Sequence, residues 1–405
     1  MKNNLLLGLA ITALLFNSCS TDDTADINIT DNSVINNTTT NNGGGNGNSD
    51  EEIAINAAEY SSDLTLEANK TYTISGPVIL ADGANLIIGE GVTIKAVATG
   101  ADVYIAISQG AQIIANGTAA NPIVMTSGSA NPAAGQWGGL ILLGKAPINS
   151  VTGSATSTSE IGSLPYGGTD ASDSSGILRY VRVEYSGGAA DGSSENNGIS
   201  FYGVGAGTTV DYIQAYEGAD DGVEFFGGTV EVNHVAVINC QDDSIDWTEG
   251  FSGSVTNAYV KHGADHDKAF ECDGYNTDIG NLSSPKFWSK PTVKDVTLVG
   301  LGNTAGTEAI RLRAGTQGLF DNILIQGFEE GFDLDGDAGA SSDNPTGTGV
   351  INGDLDVTNV TFTDVTTKMK NDTGETFTEA DFISGDGLAT GTDYATWGAS
   401  WTVGN

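Results

Sequence analysis

Thr208 to Asp273 reads as three stacked rows. The first is Val210-Asp-Tyr-Ile-Gln-Ala-Tyr216 followed by Ala219-Asp-Asp-Gly-Val-Glu-Phe225. The second is Val232-Asn-His-Val-Ala-Val-Ile238 followed by Gln241-Asp-Asp-Ser-Ile-Asp-Trp247. The third is Val255-Thr-Asn-Ala-Tyr-Val-Lys261 followed by Asp265-His-Asp-Lys-Ala-Phe-Glu-Cys272. Val210 to Val232 and Asp220 to Asp242 are both 22 positions apart, and Val232 to Val255 is 23. A period of this length marks a solenoid, in which one coil cannot bury its own apolar face and neighbours share a core. β-Branched and aromatic residues alternate with polar ones between Gly-rich corners, so each row is a set of short strands. The pattern predicts an all-β fold, a parallel β-helix closed by N- and C-terminal caps.

The acidic residues recur with the same period. Strands of adjacent rungs lie about 4.8 Å apart, and two carboxylates at about 5 Å repel by roughly 3 kcal/mol at an effective dielectric of 20. Tiers of Asp220, Asp221 and Glu224, then Asp242, Asp243 and Asp246, then Asp265, Asp267 and Glu271 therefore need compensation. Bound cations, raised pKa values and interleaved bases are the three routes. Corner acids that accept backbone N–H bonds account for part of the ladder. Ca²⁺ held by Asp220, Asp221, Asp242, Asp243, Asp246 and Asp267 is the sharper expectation, because hard oxygen ligands suit it.

The 405 residues carry a formal charge of −37, with 15 Lys and Arg against 52 Asp and Glu, and 56 are Gly. Many glycines with few prolines fit a corner-rich solenoid. Such acidity favours solubility and excludes nucleic acid as a partner, since phosphate contacts need Lys and Arg. Capture of a polyanion would need bridging Ca²⁺.

At the N-terminus, Met1-Lys-Asn-Asn4 precedes an apolar run from Leu5 to Phe16, too short to span a bilayer. It ends at Asn17-Ser-Cys19-Ser20 and resembles a bacterial lipoprotein signal. That resemblance implies a signal peptide over residues 1–18, lipid on Cys19, and an outer-membrane protein facing the exterior. Residues 19–50, rich in Asn, Thr, Gly and Asp, read as a flexible tether. Residues 51–405 are then one β-helix domain of about a dozen turns. In it Glu51 to Thr73 is expected to cap one end, and Glu379 to Asn405, with Trp397 and Trp401, the other. Ser150 to Ser175 reads as an inserted loop bordering a binding surface. Ala338 to Gly349 reads as a loop, and Leu355 to Thr363 as the last strand. Cys240 and Cys272 occupy different columns and read as buried small hydrophobes.

Four segments carry a family resemblance. They are Gly135-Gln-Trp-Gly-Gly-Leu-Ile-Leu-Leu-Gly144, Tyr166-Gly-Gly-Thr-Asp-Ala-Ser-Asp173, Asp220-Asp-Gly-Val-Glu-Phe-Phe-Gly-Gly228 and Gln241-Asp-Asp-Ser-Ile-Asp-Trp-Thr-Glu-Gly250. Together they resemble a family of surface lipoproteins found mainly in Bacteroidetes, which implies a right-handed parallel β-helix on the cell surface. A second, partial resemblance is to polygalacturonase-type glycoside hydrolases. Gln241-Asp242-Asp243 matches their Gln/Gly-Asp-Asp element, and Asp221 falls where an earlier Asp belongs. Gly263-Ala-Asp-His266 keeps a His but breaks the glycine frame of the third element. Ile310-Arg-Leu-Arg313 carries the basic residues of the fourth in a different order. This resemblance implies Asp243 as general acid, Asp221 and Asp242 positioning water, and His266 and Arg311 binding substrate.

Other residues have plainer readings. His234 is read as packing. His262 and His266 could hold a transition metal but are too few alone. Arg311 and Arg313 are expected to neutralise carboxylates. The adjacent-rung aromatics are read mainly as core, with Trp247 as an outward platform for a sugar ring. Three functions stay open. The first is capture of an extracellular glycan or other small ligand, with Ca²⁺ on the acidic face and an outer-membrane transporter as a possible partner. The second is polysaccharide hydrolysis by Asp221, Asp242 and Asp243, and the third is a structural or adhesive role.

Overall fold

Alternation decides the fold locally. In Thr71–Ile74 and Asn85–Ile88 every second side chain is buried and those between are half-exposed, the period-two pattern of a strand with one covered face. In the computed structural model, which describes residues 52–150, 154–190, 196–275, 287–336 and 345–405, these strands coil into a parallel β-helix. Twenty-four strands join in one sheet, each pairing in parallel with the strand one turn away. The signal peptide, Cys19 and the tether lie outside the described residues.

Each rung has three faces. On the face that carries the acids, Val223–Phe226, Ile245–Thr248, Phe270–Asp273 and Glu308–Arg313 lie in successive registers. The other two faces are joined by a one-residue corner, so strands such as Thr209–Tyr216 and Glu231–Ile238 bend through it; their pairing skips Tyr212 and His234 and resumes in the same register beyond them. The corner residue sits in the left-handed region at Tyr180, Tyr212, His234, Asn257, Asp295, Asn322 and Asn359, with φ between 50° and 60°. That conformation is uncommon for residues with a Cβ, and stacking along the column offsets it. The Tyr180 and Tyr212 rings lie 4.4 Å apart and Tyr212 and His234 4.1 Å apart, stacked with their planes nearly parallel. Further along, Asn322 donates to Asp295 at 2.7 Å and Asn359 to Asp321 at 2.9 Å.

The interior is a continuous apolar column. Phe201, Phe225, Trp247, Cys272 and Leu312 stand one above another in it. Cys240 and Cys272 are free and buried, as expected. A second apolar cluster lies outside the acidic face near its N-terminal end. There Ile161 and Tyr166 of the inserted loop cover Ile141, Leu143, Tyr202 and Phe226.

The ends differ from the expectation. Residues 52–66 form no separate cap, because Glu52–Ile55, Ala58–Tyr60 and Leu64–Leu66 already pair in register with the next turn. At the C-terminus, Phe382 is buried against Phe332 and closes the core. The chain then doubles back along the flank instead of ending there. Asn322 accepts from the Thr390 amide, Gln214 and Val403 exchange two bonds, and Arg182 donates to the Trp401 carbonyl at 2.8 Å. Trp397 and Trp401 thus cover the aromatic corner column and do not seal the open end. Of the segment read as a loop, residues 338–344 lie outside the described residues and the remainder begins a helix, Pro345–Asn352; the strand from Leu355 runs on to Asp372, with Ile383–Asp386 pairing after it. The reason is shared: exposed apolar faces at both places are covered by chain that lacks strand periodicity.

Candidate functional site, an acidic groove

The acids of consecutive coils do line up. Ser200, Glu224, Asp246, Glu271, Arg311, Asp333 and Lys370 are register partners in one outward column. The loops before these strands stack as well, so that Gly222 donates to the Asp243 carbonyl and Ser244 to the Lys268 carbonyl. Gly222 has to be glycine, since a Cβ there would lie 2.3 Å from Val237 Cγ1 and 2.7 Å from the Ser244 carbonyl oxygen. Asp220, Asp221, Asp242, Asp243, Asp246 and Asp267 all line one groove of ≈ 540 Å³, with Glu224 and Glu271.

Within the groove the carboxylates have two kinds of environment. Asp221 accepts from the Asp243 amide at 2.9 Å, and Asp243 accepts from the Lys268 amide at 2.7 Å. These are the corner-capping acids. Asp246 is different, because its Oδ1 is buried without a hydrogen-bond donor. Among the described residues, several sets of three carboxylates here bring one oxygen each within 4.8 Å of the others. They include Asp220 with Asp221 and Asp242, Asp221 with Glu224 and Asp246, Asp242 with Asp243 and Asp267, and Asp243 with Asp246 and Glu271. Burial and then mutual repulsion push the pKa values of Asp221, Glu224, Asp243 and Asp246 well above the ordinary carboxylate range.

Bases close the groove toward the C-terminus. Lys268, buried, lies 3.0 Å from Glu271 and 3.8 Å from Asp243, and also touches Asp267. Desolvation works against its charge, but these carboxylates outweigh it and raise its pKa. Arg313 pairs with Asp273 at 2.6 Å and with Glu271, and Arg311 donates to Asp335 at 2.8 Å. Both arginines neutralise carboxylates, as their position on the next rung suggested, and both line the groove. At the other end the inserted loop contributes Glu160, while Asn197 donates to Glu224 at 2.5 Å. Tyr166 of the same loop donates to the buried Glu249 at 2.7 Å.

Several assignments need correction. Trp247 is no platform: it is fully buried, and its indole N–H donates to Thr316 at 3.0 Å. Its inward position follows from alternation, because Asp246 before it takes the outward place. His266 does not line the groove and instead packs against His262, 4.1 Å between ring centres. Asp265 borders a separate depression with Glu217, Asn239 and Gln241. Lys268 takes the stacked position that Asp221 and Asp243 hold on the preceding turns, so the third tier is mixed in charge. Lys268, Glu160 and Asn197 were not singled out from sequence. The Lys268 signal was there, as the lysine set between Asp267 and Glu271 of the third acidic tier, whereas Glu160 arrives by a loop whose path no periodicity encodes.

Among solved structures, the catalytic domain of a GH87 alpha-1,3-glucanase in complex with tetrasaccharides is similar at 9% identity and a TM-score of 0.28. The match covers 83% of this chain, which spans 65% of that domain. No curated protein matches the sequence. Residues 58–402 match the model of the pectate-lyase-like β-helix domain. With that match running through nearly every coil, the chain belongs to the pectate-lyase-like β-helix family.

Proposed function

We propose that the groove binds an extracellular carbohydrate with Ca²⁺ held among its carboxylates. The observation that carries this reading is the convergence of buried carboxylate oxygens around Asp246, whose Oδ1 has no hydrogen-bond donor. A hard divalent cation with six to eight oxygen ligands offsets that repulsion and keeps positions open for hydroxyl or carboxylate oxygens of a sugar. Membership in a family described as pectate-lyase-like is consistent with a saccharide ligand. Lys268, Arg311 and Arg313 at one end add donors that would orient it. In this reading lipid on Cys19 and the tether to residue 50 hold the helix at the outer face of the outer membrane.

The test is calorimetry of the purified chain against a panel of neutral and uronate polysaccharides, with Ca²⁺ and with EDTA. Saturable binding that disappears in EDTA and in Asp246→Asn is expected, and equal binding in EDTA would overturn the reading. Hydrolysis is a second reading, favoured by one observation. Asp221 and Asp243 are pushed toward the protonated state that a general acid requires. Release of reducing ends by the wild type but not by Asp243→Asn would establish it. Binding without release leaves capture as the function.

A further inference from the structure

Beyond the groove, past the belt of Lys268, Arg311 and Arg313, a second group of acids converges on the same face. Glu308 and Glu330 are register partners on adjacent turns, and Asp333, three residues after Glu330 on the same strand, pairs with Arg311. One oxygen from each, Glu308 Oε2, Glu330 Oε2 and Asp333 Oδ1, is buried and has no hydrogen-bond donor. One oxygen of each of these three residues lies within 4.8 Å of the others. Asp333 is only 1% exposed, so its orphaned Oδ1 is held inside the cluster. The cluster is not part of the groove lining.

The surrounding charges do not complete it. Lys370 lies 3.3 Å from Asp333 Oδ2, 3.7 Å from Glu330 Oε2 and 3.3 Å from Asp372, and 39% of its side chain is exposed. Arg311 stands 4.0 Å from Glu308 Oε2 but spends its short bonds on Asp335. One shared ammonium at the rim and one distant guanidinium leave three inward oxygens unsatisfied, a costly arrangement in a buried place.

We propose that Glu308, Glu330 and Asp333 form a second divalent-cation site, separate from the groove, which clamps two adjacent turns of the helix. Ca²⁺ fits, because its oxygen ligands lie about 2.3–2.6 Å from the ion and so up to about 5 Å from each other across it. The cation would bind here with or without a saccharide in the groove.

Calorimetric titration of the EDTA-stripped full chain with Ca²⁺ alone tests this, with thermal unfolding in parallel. In Asp246→Asn, which weakens the groove, Ca²⁺ binding with a stoichiometry of about one should persist and still raise the unfolding temperature. Glu330→Gln, close in shape and neutral, should lose about one ion relative to wild type while keeping groove binding of the saccharide. Lys370→Met, which removes the competing ammonium, should tighten the remaining site several-fold. An unchanged stoichiometry in Glu330→Gln, or unchanged or weaker binding in Lys370→Met, would overturn the assignment. So would absence of Ca²⁺ binding in the combined Asp221→Asn and Asp246→Asn protein. Failure of saccharide binding alone would bear on the groove and leave this site standing.

Discussion

At the scale of single residues, neighbours in sequence have opposite fates. Asp246 points outward into the groove and Trp247 inward to the core, because successive strand residues face opposite sides. Asp246→Asn removes a buried charge crowded by Glu224, Glu271, Asp273 and Asp243. Without divalent cations it should raise the unfolding temperature, and it should reduce the further rise that Ca²⁺ gives in the wild type. A wild-type gain of about 2.7 kcal/mol is expected at a Ca²⁺ concentration 100-fold above the dissociation constant. Differential scanning calorimetry with and without EDTA reads both effects. Trp247→Ala, by contrast, should cost about 3–5 kcal/mol of stability, as deletion of a large core side chain does. Chemical denaturation measures it. A stable Trp247→Ala protein that had lost only saccharide affinity would contradict the inward placement.

Elements hold together here through columns that cross many turns. Tyr212 and His234 keep a left-handed backbone because each ring lies on the next, and the C-terminal segment then covers that stack with Trp397 and Trp401. Tyr394 lies flat on Tyr259 at 3.8 Å, which fixes the same segment one turn further on. Trp401 is 2% exposed and edge-on to Tyr180, and Arg182 binds its carbonyl. Trp401→Ala should cost about 3–5 kcal/mol and free the segment from the flank. Hydrogen exchange should then rise over residues 388–405 while amides of the central coils stay protected. Uniform exchange over the whole helix would show instead that the segment and the coils unfold as one unit.

For the whole molecule the sign of the acid ladder sets the pH response. Asp221, Glu224, Asp243 and Asp246 have folded-state pKa values raised above those of the unfolded chain. The folded state therefore holds more protons in the window that opens near the ordinary carboxylate value of about 4 and extends upward. Their contribution to stability is full below that window and falls as pH rises through it. In EDTA the unfolding temperature should increase from pH 8 down toward pH 5, and added Ca²⁺ should flatten the slope by favouring the ionised acids. A thermal-melt series over this range checks it, and an EDTA profile that falls on acidification would contradict the raised values. The net charge of −37 acts in the same direction, through self-repulsion that acid relieves.

The sequence by itself determined the solenoid, its 22- to 23-residue period and the alignment of Asp220, Asp242 and Asp267 on one face. Repetition is local information, and a parallel stack converts equal spacing along the chain into adjacency in space. Tertiary structure alone decided what closes the groove and what covers the flank. Lys268 neutralises the third tier, Glu160 arrives on an aperiodic loop, and the C-terminal aromatics fold back over a corner column far away in sequence. None of these contacts repeats, and a contact without a period leaves no trace in the spacing of residues. Its place is set by which apolar or charged surface remained uncovered once the coils had stacked.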